Sequence, residues 1–151
     1  MALEYVYYGA ADLGAGELHS MLAGLLDGTV VDDITVERDG LSVASWRETP
    51  GEEARAASLF GFTHRITAIF RFQNLRRELE DQNTAVMIGC VLGILQRTGA
   101  DGVLLFNGEE AVLRCVDGKA VFSDDWDWGD SAEVTAIRSG HRVARLVQPL
   151  L

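Results

Sequence analysis

The chain has 151 residues, 48% of them hydrophobic, with 23 acids against 13 bases and a formal net charge of −10. That length fits a single domain over residues 1–151 with a sizeable core, and the hydrophobic share excludes an intrinsically disordered chain. An exterior of this sign repels nucleic-acid phosphates and anionic membranes, so neither is expected as a partner, whereas a basic protein would be attracted.

The longest strongly apolar run, residues 85–95, is too short to span a bilayer. The opening residues lack a basic segment followed by a long apolar one, so no secretory signal is expected and the cytoplasm is the expected compartment. Cys90 and Cys115 have no Cys-x-x-Cys or metal-like spacing and read as two reduced, buried thiols rather than a disulfide. Lys119 is the one lysine, which removes lysine-based catalysis unless that turn residue serves it.

In chain order, residues 3–8 read as a first strand. Asp12 is a plausible N-cap, and Leu13, Leu18, Met21, Leu22, Leu25 and Leu26 recur at helical spacing, predicting a helix over 13–27 closed by Gly28. Residues 29–38 and 41–47 read as strands joined by a hairpin turn at Asp39-Gly40. Residues 49–62, with Pro50, Gly51 and Gly61, read as a loop holding at most one helical turn. Over 64–72, Ile66, Ala68, Phe70 and Phe72 fall on one face of a strand. Asn74 then caps a helix from Leu75 to about Thr98, ended by Gly99, whose second half is apolar on nearly every side. Strands at 102–107, 110–116 and 119–123 follow, with Asn107-Gly108 and Asp117-Gly118 as tight-turn signals. The tail 131–148 fits either a strand or a short helix. The fold class is therefore α+β, an antiparallel sheet with two helices packed on one face, in an order compatible with two β-α-β-β halves.

Chemistry is sparse. His19, His64 and His141 lie in a predicted helix, strand and tail, each without a second ligand at metal spacing, and read as surface or semi-buried residues. No Gly-x-Ser-x-Gly elbow or phosphate-binding loop is present, and a thiolate at Cys90 would be disfavoured in its apolar helix. No catalytic residue, cofactor or metal is expected. The unusual segment is Asp124-Asp125-Trp126-Asp127-Trp128-Gly129-Asp130. Read as a calcium loop with Gly129 in the invariant glycine place, its ligand positions fall on Asp124, Trp126 and Trp128, and two of these cannot ligate. A metal-dependent hydrolase centred on Asp124, Asp125 and Asp127 is thus disfavoured.

Two readings of this segment stay open. It is a solvated loop whose indoles tuck onto the core, or it is a binding surface. Tryptophans anchor interfaces and carboxylates around them pair with a partner's Arg or Lys, which makes Asp124, Asp125, Trp126, Asp127, Trp128 and Asp130 the candidate partner-binding residues. Asp32 with Asp33, and Glu52 with Glu53, are candidate second patches.

Three segments resemble the immunity proteins of swarming-inhibition toxin systems. These are the opening Met-Ala-Leu-Glu-Tyr with its helix, the Phe70-Arg71-Phe72 strand before a long helix, and above all Asp101-Gly-Val-Leu-Leu-Phe-Asn-Gly-Glu-Glu-Ala-Val-Leu-Arg. The resemblance runs from residue 1 to about 125. It implies a non-enzymatic cytoplasmic antitoxin that binds a cognate polymorphic toxin, and it carries over no set of functional residues. On that basis the expected partner is a basic toxin domain such as a nuclease. The alternative is an acidic protein-interaction module, including one that self-associates as a homodimer through Trp126 and Trp128.

Overall fold

The computed structural model describes residues 3–149; Met1 and Ala2, which open one of the resembling segments, lie outside them. At the centre of the sheet is β1 (Leu3–Gly9), flanked by β5 (Ile66–Phe72) and β6 (Gly102–Phe106), each antiparallel to it. On the β5 side follow β4 (Leu41–Arg47), β3 (Thr35–Arg38) and the short β2 (Thr29–Val30). On the β6 side follow β7 (Glu110–Val116), β8 (Lys119–Ser123) and β9 (Arg142–Ala144). Among the described residues this makes one nine-stranded sheet, antiparallel except for the β8–β9 pair. The helices are α1 (Ala15–Leu26), α2 (Arg55–Leu59), α3 (Arg77–Thr98) and α4 (Ala132–Ser139). None is long and apolar enough to cross a membrane.

The α+β class and the antiparallel sheet agree with the sequence reading, and the two helices on one face are α1 and α3. Among the described residues α2 and α4 are added, in the loop and tail where a helical turn and a short helix were open. The predicted halves interlock. β5 lies between β1 and β4, and β1 lies between β5 and β6, so each half's leading strand is buried in the other half's pairings. β1-α1-β4 and β5-α3-β6 are thus split β-α-β units, with β2 and β3 inserted in the first and β7 onward appended to the second.

Strand alternation sends one set of side chains to each face. Tyr5, Tyr7, Val43, Ile66, Phe70, Leu104 and Phe122 meet Leu18 and Leu22 of α1 and Met87, Ile88 and Val91 of α3 in the main core. The opposite face is covered only over its β6–β8 part, where Ala56, Phe60 and Leu146 pack on Val103, Leu105 and Val121. Among the described residues, no helix packs on the β3-β4-β5-β1 part of that face.

Local chemistry accounts for the departures from the expected boundaries. Asp12 does not cap α1; its carboxylate binds Arg47 at 2.6 Å, and the helix starts two residues later behind Gly14, whose N–H reaches Glu17 at 3.3 Å. The run 29–38 is not one strand, because the Asp32 carboxylate accepts the N–H groups of Ile34 and Thr35 and folds the chain back, pairing β2 with β3. Asn74 caps nothing directly; it accepts the Arg76 N–H just before α3 begins. Gly99 does close that helix, in the left-handed region at φ 65°. Asp117 and Gly118 both take positive φ, as the two-residue turn between β7 and β8 requires. The ambiguous tail holds both expected elements, α4 capped by the Ser131 hydroxyl and then β9. Cys90 and Cys115 are free and buried, and burial pushes each thiol up to about 12, which keeps them protonated and unreactive.

The sheet centre has a specific spatial requirement. Gly9 pairs with Gly102 across β1 and β6, and the fully buried Tyr7 ring occupies the space both leave. A Cβ on Gly102 would stand 2.2 Å from the Tyr7 hydroxyl and 2.6 Å from Cζ. Gly102→Ala should therefore destabilise the protein by about 1–3 kcal/mol through overpacking, read as a lowered urea midpoint with an unchanged slope. An unaltered midpoint would show that the tyrosine repacks freely.

Candidate functional site

The segment 124–130 leaves β8 at the end of the sheet where β1 begins. Ser123 Oγ accepts the Asp125 N–H, Asp127 accepts the Gly129 N–H at 2.9 Å, and Gly129 sits at φ 79°, so the segment is a tight turn held by its own side chains. This turn throws the two indoles inward. Trp128 is 5% exposed and packs edge-on to Phe122, 5.5 Å between centroids. Trp126 is half-buried against Phe106 at 4.6 Å and Tyr5 at 6.2 Å. Its neighbours are the main-core aromatics, and burial pushes the Tyr5 phenol up to about 12.

Asp124, Asp125, Asp127 and Asp130 remain exposed. Asp130 meets Arg77 of α3 at 3.2 Å, and Asp124 lies 3.8 Å from Arg145. Between the turn and α3 runs a groove of about 380 Å³ lined by Tyr5, Trp126, Asp127, Asp130, Glu80 and Asp81, among others. Four carboxylates and one guanidinium face it, and that guanidinium is already engaged by Asp130. Glu80 and Asp81 are the members the sequence did not place here. They stand more than forty residues from the turn, and the packing of α3 against β8 and α4, on either side of that turn, brings them together.

The candidate second patches line no part of this groove. Asp32 is the turn-former described above, its carboxyl held below the usual range by the Ile34 N–H. Glu53 is likewise held low by backbone N–H groups, while Glu52 borders a cavity on the open part of the sheet face. In that cavity lies a polar network that periodicity does not reveal. Glu48 Oε1 accepts the Trp46 indole N–H at 2.7 Å and the Thr67 hydroxyl at 2.6 Å. His64 Nε2 lies 2.7 Å from Thr67 Oγ1, and its Nδ1 accepts the Ala54 N–H at 2.9 Å.

His64 is buried, contrary to the surface or semi-buried position expected. The backbone donor on Nδ1 places the ring proton on Nε2, which donates to Thr67, whose own proton goes to Glu48. The imidazole therefore has no free lone pair to activate the threonine, and the Glu–Thr–His row is not a nucleophilic site. Burial lowers the His64 pKa from the ordinary 6.5 despite Glu48 3.6 Å away, so the two do not form an ion pair at neutral pH. Among the described residues no three His, Cys, Asp or Glu side chains converge as a metal-binding group.

The turn and α3 thus bring together an acidic groove and an aromatic wall. Comparison with known protein families decides the affiliation. A family model described as SitI3-like matches residues 3–133. The chain belongs to the SitI3-like family. The match runs through the acid–aromatic turn, which the sequence resemblance had left outside its reach past about residue 125. Membership suggests an immunity protein that acts on a cognate toxin by binding rather than by catalysis. No curated protein and no solved structure matches the chain.

Two measurements check the site's construction. Trp128→Ala should cost about 3–5 kcal/mol of stability as a core truncation, whereas Asp125→Asn should stay within about 0.5 kcal/mol; equal effects would place the indole outside the core. Because His64 is neutral when folded but gains a proton near 6.5 when unfolded, stability should fall as pH drops below that value. The loss in urea midpoint from about pH 7.5 to 5.5 should shrink in His64→Gln, and an identical loss would assign the pH dependence to other groups.

Proposed function

We propose that this SitI3-like protein neutralises a basic polymorphic toxin domain, such as a nuclease, by occupying its active site or an essential surface in a stoichiometric complex. The observation that carries the reading is the family match over residues 3–133. The net charge of −10 supports it, because an acidic exterior attracts and orients a basic partner. In this reading the whole chain acts as one domain in the cytoplasm, where the toxin arrives.

The contact surface is the acidic groove. Asp124, Asp125, Asp127 and Asp130 on the turn and Glu80 and Asp81 on α3 present carboxylates to the toxin, and Trp126 offers its exposed part as an apolar contact. Trp128 contributes from inside, by fixing the turn on Phe122. Steering of this type carries association rates toward ~10⁸ M⁻¹s⁻¹ at low salt and fades once the Debye length shortens.

The test is binding of the purified protein to its cognate toxin, the product of the adjacent gene. A one-to-one complex should form at submicromolar concentration and abolish toxin activity. The association rate should fall at least about tenfold between low and high salt. Asp125→Lys, at a position whose side chain holds nothing in the turn, should slow association several-fold without changing the thermal midpoint. Absence of both complex and protection at micromolar concentration would end the proposal.

A further inference from the structure

We infer that the open part of the sheet face carries a second, more specific contact: a pocket that receives one cationic side chain of the toxin, an arginine by preference. The inference rests on the immunity reading for the identity of the partner, and on the pocket alone for the chemistry.

The pocket lies over β1, β4 and β5, on the face turned away from α1 and α3, and encloses about 460 Å³. Its walls include the Trp46 and Tyr8 rings, with Val6 and Ile69 beside them. The charged groups lining it are Glu4, Glu48 and Glu52; no Arg or Lys lines it, and its histidine, His64, is neutral for the reasons given above. Glu4 is already balanced, since Arg71 holds its Oε2 at 2.8 and 3.2 Å through two nitrogens.

Glu48 is not balanced. Its side chain is only 12% exposed, and no cation pairs with it among the described residues at neutral pH. Both of its hydrogen bonds, from Trp46 and Thr67, fall on Oε1. A nearly buried carboxylate without a countercharge is costly unless a cation completes it. The arrangement holds that carboxylate rigidly, because Thr67 is fixed by His64 and His64 by the Ala54 N–H and the Tyr8 ring at 4.7 Å. The result is a preoriented anion between aromatic rings.

That combination selects among cations. A metal ion needs several converging oxygen or nitrogen ligands, and the described residues offer no group of three suitable side chains. A guanidinium is planar, pairs with carboxylate oxygens and stacks on an indole or phenol face, so Glu48, Glu52, Trp46 and Tyr8 match its requirements together. An ammonium would meet the charge but not the planar stacking.

The deciding substitution is Glu48→Gln. It removes the charge and keeps an amide oxygen to accept from Trp46 and Thr67, so the fold is retained; a thermal midpoint no lower than that of wild type verifies this. In the complex with the cognate toxin, Glu48→Gln should weaken affinity by about thirtyfold or more, as expected for loss of one partner of a desolvated ion pair. Glu133→Gln, at an exposed position on α4, should change affinity less than about twofold. Equal affinities for wild type and Glu48→Gln would overturn the pocket while leaving the immunity function intact. Where wild type forms no toxin complex, the immunity reading fails and the pocket is decided with N-acetyl-arginine methylamide. A saturable shift of the Trp46 indole N–H signal in NMR, absent with the neutral citrulline analogue and in Glu48→Gln, supports it. No shift overturns it.

Discussion

The antiparallel pairing of β1 with β5 is the constraint on which the molecule depends. Seven register pairs, from Leu3 opposite Phe72 to Gly9 opposite Ile66, set the face of every residue in both strands. On the helix side this aligns Tyr5 and Tyr7 with Phe70 and Phe72, the floor on which α1 and α3 rest. On the other side it sets Glu4 beside Arg71 and brings Tyr8 alongside Thr67. A slip of one residue would exchange these two sets, burying Glu4 and Arg71 and exposing the core tyrosines. The groove where Tyr5 supports Trp126 and the pocket where Tyr8 supports His64 are therefore consequences of a single register.

Much of this architecture was legible in the sequence because it is local. The apolar alternation of residues 66–72, the Gly99 stop and the Asp117-Gly118 turn are each dictated by neighbours within a few positions, and each appears where expected. The failures share a cause as well. Asp12 looked like a helix cap until Arg47, thirty-five positions away, claimed its carboxylate. Asp32 could either continue a strand or turn it, and its side-chain oxygen captured two N–H groups that a strand would have used for pairing.

The candidate surface was legible in part for the same reason. The acids of 124–130 are conspicuous as a run, and they do lie at the surface, but the fate of the indoles depended on the distant rings of Tyr5, Phe106 and Phe122. Glu80 and Asp81 join the groove because the turn is laid beside α3, which nothing in their own segment announces. The Trp46–Glu48–Thr67–His64 network was invisible because its members come from two strands and the loop between them, in no periodic relation. Polar residues inside a sheet announce themselves only when the pairing partner is known.

The interlocked order of strands also governs how such a chain can come into being and change. β1 lacks both its neighbours until residues 66–72 and 102–106 exist, so its pairings are non-local and folding must wait on long loop closures. Separated from the other half, each leading strand loses both its neighbours, β1 its β5 and β6 and β5 its β1 and β4. Exchange of segments between relatives at any point from 10 to 65 would hand each leading strand a foreign neighbour. Variation that preserves the sheet must therefore accumulate by substitution on its outward surfaces, the acid turn and the uncovered face, rather than by shuffling of modules.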